Sequence, residues 1–127
     1  MSYELQVKDV KTHKDLLVWQ KSMDFVVDIY AITKSFPNSE LFALTNQIRR
    51  CVTSIPANIA EGLGRKGNKE FIHFLHVALG SATELETFLI IAQRLNYIDD
   101  HIFEKLDASL TEIIRMTIGL IKSINNK

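Results

Sequence analysis

Few side chains in this 127-residue chain are of types that could do chemistry: four histidines, one cysteine and a short basic turn. Glu70 and His73 have the Glu-x-x-His spacing that puts a carboxylate and an imidazole on one helical face. A carboxylate-bridged di-metal bundle needs two such motifs and two further inward glutamates. The chain has one motif, and its His73 falls on the polar side of its helix. His73 and His76 could share a metal, but no third ligand is evident, so solvent-facing histidines and no bound metal or cofactor are expected. Arg94 and His101 have the Arg-x6-His spacing of some helical RNases. Such sites usually carry a polar residue after the arginine, and here Leu95 stands there. Cys51 falls in line with Leu44, Ile48, Ile55 and Ile59, where it reads as a small core hydrophobe. No Walker A loop or dinucleotide fingerprint occurs. The chain is expected not to be an enzyme.

The basic turn is "GLGRKGNKE", residues 62–70. Arg65, Lys66 and Lys69 project from it beside a helix start, where partial positive charge favours phosphate. Arg49 and Arg50 are two further candidate nucleic-acid contacts. A solvated loop is the bland alternative, since no aromatic is interleaved for base stacking. Charge does not decide between them. The net charge is zero, and residues 1–70 carry 10 basic and 8 acidic side chains against 5 and 7 in residues 71–127. That excludes a strongly basic protein.

The elements that hold these groups read as four helices. Apolar residues recur near every 3.6 positions and sustained alternation is absent. The pattern predicts helices over 15–35, 39–63, 69–95 and 100–124. Pro37, the pair Gly62 and Gly64, and a cap at Asp99 or Asp100 punctuate them. Connections of about five residues between long helices force antiparallel neighbours. The expected fold is all-α, an up-down-up-down four-helix bundle over 15–127, with an N-terminal arm over 1–14. A hydrophobic content of 46% and two prolines suit one globular domain. A lone cysteine, no leader-like segment and no run of 18 apolar residues point to a cytoplasmic protein without a membrane span.

Helices one and three carry more apolar surface than one core can cover. At 100° per residue, Leu16, Trp19, Met23, Val26 and Tyr30 form one stripe of the first helix. Val18, Phe25, Ile29, Ile32 and Phe36 form a second, about 115° away. Helix three adds Phe74 and Phe88 beside its main stripe. Val18, Phe25, Ile29, Ile32, Phe74 and Phe88 are therefore expected at a subunit interface, because such a patch exceeds a normal surface.

Helix two carries a polar stripe, Gln47, Arg50, Ser54, Asn58 and Glu61, at the border of its apolar face. Glu86 of helix three falls within an apolar arc and is costly to bury alone. The six residues are expected to form a structural polar network, with Glu86 paired to Arg49 or Arg50. Pro56 interrupts helix two and frees the carbonyl of Val52, which Ser54, Asn58 or a neighbouring helix could satisfy.

Two segments carry a family resemblance. They are "DLLVWQKSMDFVVDIYAITKSFPNSELFALTNQIRRCVTSIPANIAEG" and "KEFIHFLHVALGSATELETFLIIAQRLNYI". The most specific positions are the Trp19 region; Phe36, Pro37 and Glu40; "QIRR" with "SIPANIAEG"; and Gly80, Ser81, Glu84, Leu85 and Glu86. Over about residues 13–98 the chain resembles the four-helix-bundle family named for proteins encoded in intervening sequences of bacterial 23S rRNA genes. The resemblance implies a homo-oligomeric ring, commonly a pentamer, and no established enzymatic activity. That family is also similar to a basic pentameric accessory protein of diversity-generating retroelements, which works with a reverse transcriptase and nucleic acid. This chain departs from that relative in being neutral. The expected function is a non-enzymatic homo-oligomer that binds RNA or a nucleoprotein partner. The alternative is a protein-binding scaffold without nucleic acid.

Overall fold

The computed structural model describes residues 10–126. Of the arm expected over 1–14, residues 1–9 lie outside the described residues. Four helices account for most of the rest: α1 Leu17–Thr33, α2 Leu44–Gly64, α3 Asn68–Arg94 and α4 Asp100–Asn125. No strand occurs among the described residues. Helix α2 packs against both α1 and α3, α3 against α4, and α4 back against α1, giving a helical bundle.

The first helix starts two residues later than the periodicity suggests. His13–Asp15 forms a 3₁₀ turn, and Leu16 is extended at φ −75° and ψ 122°. The turn is held by a capping box. The Thr12 hydroxyl accepts from the Lys14 N–H at 3.3 Å, and the Asp15 carboxylate accepts from the N–H groups of Lys11 and Thr12 at 3.0 and 3.1 Å. Those two N–H groups lower the Asp15 pKa from its ordinary value.

Burial overturns half of the interface expected on α1 and α3. Val18, Phe25 and Ile29 are fully or almost fully buried in the chain's own core, while Met23 and Tyr30 of the other stripe are open to water. Ser22 and Thr33 belong to the buried stripe and disguise it. Their hydroxyls donate to the carbonyls of Val18 at 2.6 Å and Ile29 at 2.8 Å, which makes polar side chains acceptable inside. Ile32 and Phe88 are half-buried and pack against the core, and Phe74 is half-buried. Helix α3 behaves as expected, burying Phe71, Leu75, Ala78, Ala82, Leu85 and Leu89. By length and composition alone α3 could cross a membrane; its buried stripe packs on α2 and α4.

The connections carry the other departures. Helix α2 begins at Leu44, not 39. After Pro37 the chain makes a 3₁₀ turn, Asn38–Glu40, and Ala43 at φ −125°, ψ −107° precedes the helix. Side chains dictate this detour. Phe36 is buried with its ring centroid 5.4 Å from that of Tyr97, and the Tyr97 hydroxyl donates to Glu40 Oε2 at 2.8 Å. That hydrogen bond, then partial burial, pushes the Tyr97 hydroxyl pKa up. The α1–α2 and α3–α4 connections are thus pinned to each other. The latter closes α3 with a Schellman motif: Asn96, at φ 63°, donates its N–H to Gln93 and Tyr97 donates to Ala92. Helix α4 is capped by Asp99, which accepts from the Ile102 N–H at 2.7 Å.

Helix α2 tolerates Pro56 in its interior. Asn58 donates to the carbonyl and hydroxyl of Ser54, both at 2.8 Å, and Ser54 meets Ser81 of α3. Neither side chain serves the Val52 carbonyl. Gly62 also differs in role. Instead of ending the helix it lies buried inside it, close against α3.

Candidate functional site

The five cations picked out by the sequence do not form one patch. Arg49 and Arg50 lie in the first turns of α2, and Arg65, Lys66 and Lys69 lie past its other end. Fifteen residues of helix, roughly 22 Å, separate Arg50 from Arg65. Two of the five are engaged within the chain. Arg49 donates from Nε to Thr33 Oγ1 at 3.0 Å, and its guanidinium sits 4.6 Å from the Tyr30 ring centroid. Arg65 binds Glu61 Oε1 through Nε and Nη2 at 3.1 and 2.7 Å and lies over Phe74. Lys66 and Lys69 are exposed and form no ion pair among the described residues. They flank Gly67, whose φ of 97° suits glycine, and the first turn of α3, which has no side-chain cap.

The polar stripe of α2 faces α3 of its own chain. Cys51 donates its thiol to Glu84 Oε1 at 3.0 Å, and one turn further Ser54 and Ser81 share a hydrogen bond of 2.9 Å. With Gln47 and Arg50 these residues line an open polar cleft of about 180 Å³. Burial, followed by the carboxylate of Glu84, pushes the Cys51 thiol up to about 12. A thiol held protonated at neutral pH is a poor nucleophile. Glu61 turns away from the cleft to pair with Arg65.

Glu86 stands elsewhere, and its expected pairing with Arg49 or Arg50 is incorrect. Its partner is Asp107 of α4. Hydrogen bonding to Asp107, then desolvation and the like charge, raises the Glu86 pKa. Asp107 Oδ1 is buried without a hydrogen-bond partner among the described residues. The raised pKa favours the protonated form of Glu86 beside Asp107, so no arginine is needed there.

The residues of the enzyme-like spacings remain scattered. Glu70, His73, His76, Arg94 and His101 are all exposed, and no three His, Cys, Asp or Glu side chains group as a metal site among the described residues.

Comparison with known proteins places these features in a family. Residues 14–119 match the 23S rRNA-intervening sequence protein family. The chain belongs to that family. A solved structure from Bacteroides thetaiotaomicron VPI-5482, of a protein with unknown function from the S23 ribosomal protein family, is similar. It shares 36% identity with a TM-score of 0.78, covering 84% of this chain and 99% of its own. A search of curated proteins gives no match.

Within this member of the intervening-sequence family, several characteristic positions meet in space. "SIPANIAEG" and "GSATELE" contribute Ser54 and Ser81 to one bond, and "FPNSE" meets Tyr97 through Phe36 and Glu40. Sequence reasoning missed Glu84 as the partner of Cys51. One signal was available: Ser81 and Glu84 are three apart, so both fall on the face of α3 that the stripe of α2 meets.

Proposed function

We propose that this family member is a non-enzymatic homo-oligomer that contacts RNA through the α2–α3 corner. The observation that carries the reading is the placement of Lys66 and Lys69. Both are exposed beside the open first turn of α3, in a protein whose net charge is zero. Two lysines and a helix start bind phosphate weakly, but a ring of subunits repeats the corner once per chain, and linked weak sites combine into useful avidity. An up-down-up-down order within each subunit, supported by the short connections and the Phe36–Tyr97 contact, places every corner at the same end of its bundle. A pentameric ring is the assembly implied by the family resemblance. Oligomerisation is supported by apolar groups left in water, above all Val27 at 67% and Phe42 at 91% exposure.

Fluorescence anisotropy with a labelled single-stranded RNA tests this reading. Wild-type protein is expected to bind, with affinity falling as salt rises, because displaced counterions drive phosphate contact. The double variant Lys66→Ala, Lys69→Ala is expected to bind weakly and with a shallower salt dependence. Binding that ignores salt, or survives the double variant unchanged, refutes the RNA reading. A native protein partner retained after nuclease treatment would favour the scaffold function instead.

A further inference from the structure

The connection between α1 and α2 holds an aromatic side chain in water. Phe42 is 91% exposed and its neighbour Leu41 is 45% exposed. The detour that turns them outward is built: Phe36 is buried against Tyr97, and Glu40 accepts from the Tyr97 hydroxyl. Arg49 and Arg50 stand beside Phe42 around a shallow cavity also lined by Tyr30.

The other flank of α1 has the complementary shape. Between α1 and α4 runs an open seam with a cavity of about 360 Å³, walled by Ala31, Ile32, Ile102 and Leu106 and rimmed by Asp28 and Lys105. A second depression of about 140 Å³ continues the seam past Asp24, Asp28 and Glu112. The floor is apolar, and the first cavity is large enough for a phenyl ring. The rim carries Asp24 and Asp28 beside Lys105 and a Lys21–Glu112 ion pair, so it is slightly acidic where the surroundings of Phe42 carry guanidinium groups.

Knob and hole lie on opposite flanks of the same helix. Tyr30 faces the α2 side, and Ala31 and Ile32 face the α4 side. One chain therefore cannot fill its own seam. We infer that Phe42 of one copy seats in the α1–α4 seam of the next, with Arg50 facing Asp28 across the contact. Such a contact joins two different patches, so it is head-to-tail and closes into a ring or runs on as a filament. Ile32, expected from sequence at an interface, belongs to it through the wall of the seam.

This inference rests on the homo-oligomeric reading above and assigns its contact. The test is size-exclusion chromatography with light scattering on three proteins at on the order of 100 µM, where contacts of micromolar affinity are filled. They are wild type, Phe42→Asp and Ala31→Arg, with far-UV circular dichroism to check that each variant keeps its helices. Both substitutions are at exposed positions. Wild type is expected well above the 14.5 kDa of one chain, and each variant at the mass of one chain. An equimolar mixture of the two is decisive. Phe42→Asp retains an intact seam and Ala31→Arg an intact knob, so together they form one good contact and a species of two chains. Folded Phe42→Asp running at the wild-type mass overturns the inference and leaves oligomerisation standing. So does a mixture that stays at one chain. Wild type at one chain overturns both.

Discussion

Gly62 of α2 and Phe74 of α3 are in contact with no room for a methyl group. A Cβ built on Gly62 falls 2.7 Å from the Cβ of Phe74 and 3.3 Å from the carbonyl oxygen of Phe71. Neither neighbour is the far end of a flexible side chain, so the helices themselves would have to part. This close approach brings the polar stripe of α2 within hydrogen-bonding range of Ser81 and Glu84.

Gly62→Ala is accordingly expected to destabilise the fold by about 1–3 kcal/mol, the usual cost of overpacking. Gly80 is the control. It lies within α3 with nothing inside 4 Å of an added Cβ, so Gly80→Ala is expected to stabilise by about 0.5–1 kcal/mol through helix propensity. Thermal unfolding of both variants checks the pair. If the two shift Tm in the same direction, the close packing does not matter to stability.

Glu86→Gln replaces a carboxyl group by an amide that can donate to the Asp107 carboxylate without a titrating proton. At neutral pH the variant is expected to be more stable than wild type by about 0.5–1.5 kcal/mol, the worth of one hydrogen bond. The sign follows from the raised pKa of Glu86. A group that holds its proton more tightly when folded contributes stability below its unfolded value, about 4.3 for glutamate, and loses it as pH rises through the folded value. The advantage of Glu86→Gln therefore shrinks as pH falls from neutrality into the carboxylate range. A difference between the proteins that stays constant from pH 7 to pH 4 would rule out the raised pKa of Glu86.

Cys51 is expected to resist alkylation in the native state. With the thiol near 12, its thiolate fraction at pH 8 lies roughly a thousandfold below that of a free cysteine near 8.5. Glu84→Gln removes the neighbouring charge and is expected to speed the reaction. The stabilising preference for the protonated thiol is present below about 8.5 and is lost as pH rises from there to about 12. Native reaction with iodoacetamide at the rate of the unfolded chain would contradict this placement.

Thr45 and Thr117 are both buried, but only one hydroxyl is used. Thr117 donates to the Ile113 carbonyl at 2.7 Å. Thr45, in the first turn of α2, has residue Leu41 four positions back, outside the helix, and its Oγ1 has no partner among the described residues. Thr45→Val is expected to be neutral or stabilising by about 1 kcal/mol, whereas Thr117→Val removes a formed bond and gains less. Denaturant melts of both variants give the comparison, and a larger loss at Thr45 than at Thr117 would contradict it.

Much of this was legible locally. Periodicity near 3.6 marks four helices, Pro37 and the glycines near 64 mark breaks, and Asp99 marks a start. The stripe Phe71, Leu75, Ala78, Ala82, Leu85, Leu89 names the buried side of α3 because no polar residue interrupts it. On α1 the same reasoning misled. Ser22 and Thr33 interrupt the stripe that is buried, and a hydroxyl that bonds its own helix carries no mark in the sequence.

The amino-acid sequence determined the number of helices, most of their limits and the family, because propensity, capping and periodicity act over a few neighbouring residues. Tertiary structure alone decided which stripe of α1 turns inward and that Glu86 meets Asp107 rather than an arginine. It also decided that Cys51 and Ser54 meet Glu84 and Ser81, and that Phe42 is left in water. Each of these depends on how one helix is rotated and spaced against another. Contacts such as Gly62 on Phe74 set that rotation, and it follows from packing the whole chain at once rather than from any local run of residues.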